Sequence, residues 1–195
     1  WHRFDLSLFN PWLTNVNITG TSSGNVSLQQ QGKPHLHGQI SWQGEIKAPH
    51  QTLSFTQADW RWNWGKQGLK SRFDLLLADG GQLQLELDND EPFSVHWPSQ
   101  LHLQLHGKNV PLQRIQPWLP PGFSLAGKLR VQTDGFWYRD RPWQLSGLAE
   151  ITKGKFSWQE DEDLISNELS IALLHWTWHE QLAGQLELKI EERGH

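Results

Sequence analysis

Cysteine and methionine are absent from this chain of 195 residues, tyrosine occurs once, and no run of basic residues appears. Without cysteine there is no disulfide framework, no thiolate nucleophile and no zinc-thiolate site, although this absence is silent about redox compartment. With 17 Lys and Arg against 21 Asp and Glu, the net charge is -4. That balance gives no electrostatic footprint for nucleic acid or for anionic headgroups. No window approaches the roughly 18 consecutive apolar residues of a membrane-spanning helix. The chain starts at Trp1, and we expect an excised segment whose signal peptide or anchor, if it has one, lies outside it.

What the chain has instead is period-two alternation. It runs through Leu36, Ile40, Trp42 and Ile46, through Trp60, Trp62 and Trp64, through Leu83, Leu85 and Leu87, and through Leu101, Leu103 and Leu105. The second half repeats the habit with Leu125, Leu129 and Val131, then Leu145 and Ile151, and finally Leu186, Leu188 and Ile190. Side chains alternate between the two faces of a strand, so each run predicts a strand with one greasy face. Turn signals such as Ser23-Gly24-Asn25, Asp79-Gly80-Gly81, Asp88-Asn89-Asp90, Asp134-Gly135 and Lys153-Gly154 suit antiparallel connections. The one helical candidate, Pro111 to Gln116, is limited to a turn or two by Pro117.

The chain also repeats itself. Pro11-Trp12-Leu13 and Pro117-Trp118-Leu119 lie 117 − 11 = 106 positions apart, and GQLQLELD from Gly81 and GQLELKIE from Gly184 lie 184 − 81 = 103 apart. We expect a divergent tandem repeat within one continuous unit, residues 1–110 forming the first copy and 111–195 the second. In the first copy Phe4, Leu6 and Leu8 alternate up to Pro11, which predicts strand in place of the short helix.

A greasy face can be buried in two ways: in a two-sheet sandwich, or in a single curved sheet around an apolar groove. Scarcity of helix, the 13 Trp, and Gly38, Gly44, Gly127 and Gly147 in apolar phase all favour the groove. A strand glycine marks a bend or close approach, and rigid indole rings line a hollow without filling it. The expected fold is therefore all-β, an open curved antiparallel-rich sheet with one or two helical turns at most. At about ten residues per strand and turn, roughly eighteen strands would make a trough near 80 Å long. Its occupant would be long and apolar, and the runs of apolar residues above are its candidate lining.

The block PWLPPGFSLAGKL, the LxLxL strands ending at Gly and the two GQLxL segments resemble the periplasmic repeat region of the TamB and AsmA-like family. The resemblance spans most of the chain, and its most specific piece is Pro117 to Gly127. It implies a taco-shaped β sheet with an apolar interior, an inner-membrane anchor elsewhere in the protein, and phospholipid as the partner carried across the periplasm. It further implies an outer-membrane barrel partner of the TamA type, a link to outer-membrane protein assembly, and neither cofactor nor catalytic residue.

Other patterns read less sharply. His35 with His37, His102 with His106 and His175 with His179 lack further metal ligands nearby, so they read as solvent-facing, and Asp161-Glu162-Asp163 as a solvated loop. No nucleophile elbow, zinc-protease motif or phosphate loop is present, so we expect no enzyme. The rival function is a carbohydrate-binding β module with Trp60, Trp62 and Trp64 as a stacking platform. A solidly packed β-solenoid of a surface adhesin is a third.

Overall fold

The computed structural model describes residues 1–190 except 31, 33, 50, 95, 97, 119, 161, 162 and 180. Among the described residues eleven strands form one sheet: β1 (Phe4–Asp5), β2 (Asn17–Gln29), β3 (His35–Ala48), β4 (Gln51–Gly65), β5 (Gly68–Leu77), β6 (Gln82–Asn89), β7 (Gln100–Pro111), β8 (Phe123–Tyr138), β9 (Gln144–Glu160), β10 (Asp163–His179) and β11 (Gln181–Ile190). Their order in the sheet is their order in the chain, from the β1 edge to the β11 edge. Every pairing is antiparallel, and β7 pairs with β8 across residues 110 and 111, where the sequence leads us to expect the junction of two copies. The fold is all-β and open, with two short 3-10 segments, Leu6–Trp12 and Leu112–Trp118.

The trough is shorter than the sequence suggests. Eleven strands at ~4.8 Å span about 50 Å, because β2, β3, β4, β8, β9 and β10 are 13 to 17 residues long. Three expected turns, at Gly24, Gly135 and Gly154, lie inside β2, β8 and β9. Those glycines make room within a strand instead of ending one: a Cβ on Gly24 would come 2.9 Å from the Trp1 ring, and one on Gly135 would come 2.4 Å from Leu145.

Strands this long do not stay flat. Register shifts fall between Trp42 and Gly44, Phe55 and Gln57, Gly107 and Val110, Ala126 and Lys128, and Leu169 and Ile171, stepping across the sheet. A bulge bends its strand and increases twist, so a row of them creases the sheet into a long and a short arm. Gly20 and Gly44 face each other on this crease at φ 126° and 153°. A Cβ on either would come 2.0 Å from a backbone carbonyl of the neighbouring strand.

β5 and β6 stop at the crease, and their turn leaves a gap in the short arm. The second 3-10 segment occupies it. Pro111 lies beside Gly81, Leu112 is 2% exposed, and Arg114 reaches Asp79 Oδ2 at 2.5 Å and the Thr52 carbonyl at 3.4 Å. The core lies alongside, where Phe55, Ala58, Leu75 and Leu77 are buried with Ile46, Leu53, Leu83 and Val110 packed around them.

The first copy also has its helical segment, against the expectation of strand. Asp5 caps it by accepting from the Ser7 amide at 2.8 Å, which local alternation does not register. The two 3-10 segments do the same job. Asn10 Oδ1 accepts from the Ile18 amide at 2.7 Å, and Gln116 Oε1 accepts from the Leu125 amide at 3.3 Å, each tying a following long strand. Gln116 Nε2 also donates to the Phe123 carbonyl at 2.6 Å. The repeated Pro-Trp is thus preceded by an amide side chain that aims the next strand. Leu119 and the side chains of Trp12 and Trp118 lie outside the described residues.

Replacing Asn10 or Gln116 by Ala removes a side chain that satisfies strand backbone, and each change is expected to lower stability by about 1 kcal/mol. The sites are a hundred residues apart in chain and share no partner, so urea denaturation of the double variant should show the two losses adding.

Candidate functional site

Pairing register turns alternation into a face, because directly opposed residues in an antiparallel pair point the same way. Leu36, Ile40 and Trp42 oppose Trp64, Trp60 and Ala58, while Ile46 opposes Leu53. Trp60 then opposes Phe73, which opposes Leu85, which opposes Leu105. Leu87 opposes Leu103, and Leu83 leads through Gly107 to Val131. Leu101 opposes Trp137, Leu129 opposes Ile151, Leu125 opposes Phe156, and Gly135 opposes Leu145. Every candidate lining residue on β3 to β9 therefore falls on one face. The backbone register continues it to β11, where Leu186, Leu188 and Ile190 pair with Leu174, Ala172 and Leu169.

This face is sealed at the crease and, at the far end of β7, around Leu101, which is 4% exposed, and it is open at several positions between and beyond them. Leu77 is 1% exposed, whereas Trp60 is 40%, Trp178 41% and Leu28 50% exposed. The chain as a whole exposes 13566 Å², against about 9,500 Å² for a compact monomer of its 22.6 kDa mass. Close backbone contact runs from each strand to its neighbours and from the 3-10 segments to β2 and β8. No second sheet supplies a cover among the described residues. The two-layer sandwich is thereby replaced by a single layer with an apolar side.

Glycines set how high the bulky side chains stand. Gly38 opposes Trp62, and Gly147 opposes Trp176. A Cβ on Gly38 would lie 2.4 Å from Trp62 Cζ2, and one on Gly147 would lie 2.6 Å from Trp176 Cε2. Each indole therefore lies down across a glycine, filling the vacancy that the sequence leaves in apolar phase. Trp42 likewise reaches over Ala58 to stack on Phe73, ring centroids 5.4 Å apart.

The Trp60, Trp62 and Trp64 row is not a flat platform. The rings of Trp60 and Trp62 are 4.8 Å apart and inclined at 46°, and Trp60 donates to Ser71 Oγ at 2.8 Å. Trp64 meets Phe93 edge-on and donates to the Glu91 carbonyl at 3.1 Å. The Glu91 carboxylate accepts from the Ser99 hydroxyl and from the Ser99 amide, bonds that hold its pKa below the usual carboxylate value. That loop closes one margin of the face.

The opposite face is polar. A shallow groove of about 780 Å³ between β7, β8, β9, β10 and β11 brings Gln104, Gln132, His106 and His175 together with Leu148 and Trp176, so its lining is mixed. His35 bonds Asn63 at 2.8 Å. His102 reaches Asp88 and Asp134 from opposite ring nitrogens, at 2.9 and 2.8 Å. Among the described residues no group of three ligating side chains is placed to hold a metal ion. The Asp161-Glu162-Asp163 loop lies largely outside the described residues. Sequence reading missed the carboxylate pair around His102, because Asp88 and Asp134 are 134 − 88 = 46 positions apart and meet only through the register of β6, β7 and β8.

No protein-family model, no curated protein and no solved structure matches the chain.

The glycine seats make a prediction of sign. Alanine for glycine in a compatible strand normally stabilises by about 0.4–1 kcal/mol. At Gly38 or Gly147 the new methyl collides with an indole and a backbone carbonyl, so Ala should instead destabilise by about 1–3 kcal/mol. Thermal denaturation gives the sign, and a red shift in Trp emission would report the displaced ring.

Proposed function

We propose that the chain is a non-enzymatic holder and conduit for phospholipid acyl chains. The single observation that carries this reading is a one-layer sheet whose bulky apolar residues share one face, with that face open at several positions away from the crease. Monomeric proteins rarely leave a large contiguous apolar surface bare unless something apolar occupies it. An acyl chain laid along the strands' apolar rows gains about 0.8 kcal/mol per buried methylene. Each step along the face exchanges one such contact for another, so retention and sliding are compatible.

The resemblance carried by the PWLPPGFSLAGKL block supports placing this activity in a TamB or AsmA-like periplasmic protein. In that reading the chain is one stretch of a longer bridge, anchored in the inner membrane through other parts. It shields lipid between the two membranes of a Gram-negative envelope and engages an outer-membrane barrel of the TamA type through segments beyond this one. A role in outer-membrane protein assembly belongs to the same proposal. The carbohydrate reading is weakened by the mutual tilt of Trp60 and Trp62 and by the engagement of Trp64 with Phe93 and Glu91, because a sugar ring needs an open aromatic face.

Leu85→Arg and Leu103→Asp place a charge on the apolar face without touching the polar one. Fluorescent phospholipid captured from phosphatidylethanolamine and phosphatidylglycerol vesicles is expected to fall at least about tenfold, since an unpaired charge in an apolar setting costs several kcal/mol. Strand content by circular dichroism should be largely kept. Variants that remain folded and hold as much lipid as the parent would overturn the proposal.

A further inference from the structure

We propose that Asp88, His102 and Asp134 form a proton-operated latch on the polar face, clasping β6, β7 and β8 where the first copy joins the second. The latch lies on the opposite face from the apolar one and does not depend on what that face carries.

The geometry asks for two donors. His102 Nδ1 lies 2.9 Å from Asp88 Oδ1 and Nε2 lies 2.8 Å from Asp134 Oδ2. A protonated imidazole donates from both nitrogens, but a neutral one donates from one and turns a lone pair outward at the other. His102 can therefore donate to both carboxylates at once only as the imidazolium. Losing the proton breaks one clasp and sets a lone pair against a carboxylate oxygen. The ring also stacks on Phe136 at 4.7 Å and 23°, a placement that favours the cation.

The surroundings do not cancel this charge. On β7, Gln104 donates to Asp134 Oδ2 at 3.1 Å, and His106 follows it. On β6, Glu86 is taken by Arg72 of β5, and Lys70 of β5 lies opposite Asp88. On β8 the neighbours are Gln132, Asp134 and Phe136, and on β9 Gln144 lies opposite Phe136. Burial pulls the His102 pKa down, but the hydrogen bonds and charges of Asp134 and Asp88 together outweigh it, leaving the value raised above 6.5. Asp134 moves the other way, below 3.8, through Gln104 first and, against the upward pull of burial, through His102.

The signs define a window. A raised histidine contributes fully below its unfolded value near 6.5 and loses that contribution as pH climbs through its folded value. A lowered carboxylate contributes above its unfolded value near 3.8 and loses it as pH falls through its folded value. The latch is closed between these limits and opens on the alkaline side. The Asp88 and Asp134 side chains are 50% and 51% exposed, so screening keeps the effect local to three strands.

Titration of the His102 ring proton by NMR, alongside amide hydrogen exchange corrected for intrinsic pH dependence, tests the latch on the intact chain. The His102 midpoint should lie above 6.5, and protection of β6 to β8 should drop about fivefold as pH passes that midpoint, while β2 to β4 stay level. Asp88→Asn and Asp134→Asn should each bring the midpoint down, and His102→Gln should abolish the step. A midpoint at or below 6.5, or protection of β6 to β8 that ignores the titration, would overturn the proposal. Because the parent protein supplies both readouts, a poorly folding variant does not rescue it.

Discussion

One constraint organises this molecule: a sheet with a greasy side has to hide that side, and no second layer does so here. The usual answer is a partner sheet about 10 Å away with interleaved side chains. In its place the long strands are bulged in a row, from the Trp42 and Gly44 step on β3 to the Leu169 and Ile171 step on β10. Burial is concentrated at the crease, where Phe55, Leu77 and Leu112 are almost fully enclosed. Away from the crease, Leu28, Trp60 and Trp178 are 40–50% exposed, while Leu101 beside the Glu91 loop stays buried. Stability and vacancy thus come from one device, since the bend that protects the inner residues leaves the outer ones without a cover.

The repeat makes sense in these terms. Each of the two repeats expected from sequence carries a 3-10 segment near its start and a side-chain amide, Asn10 or Gln116, that captures the next strand. Gly20 and Gly127, which follow two residues after those captured amides, adopt φ of 126° and 127°, so the two copies bend at matched points. The second segment also plugs the gap left by the short β5 and β6, with Arg114 tied to Asp79. A unit built this way has no need of a closed core of its own. Continuous pairing from β7 into β8 lets one copy continue the apolar side of the other.

Much of this was readable in the order of residues, for a physical reason. Phase is a local property, so the residues that share a face along Leu83, Leu85 and Leu87 can be found without knowing their neighbours. Glycine was ambiguous, since the same residue marks a turn at Gly80 and, at Gly135, a space beneath Leu145. That ambiguity made the strands look shorter and more numerous than they are. The first 3-10 segment was hidden because its cap is a bond donated by the Ser7 amide to the Asp5 carboxylate, which the apparent alternation does not reveal. The clasp around His102 depends on register between three strands, a long-range quantity that no local pattern contains.

The account rests on an apolar face that meets lipid and not protein. A photoreactive amino acid in place of Leu103, in purified protein equilibrated with phospholipid vesicles and then irradiated, interrogates that face at its middle. The account predicts adducts of phospholipid mass, with the label in an acyl chain. Crosslinks running instead to residues of a facing protein layer, with no lipid adduct, would contradict it.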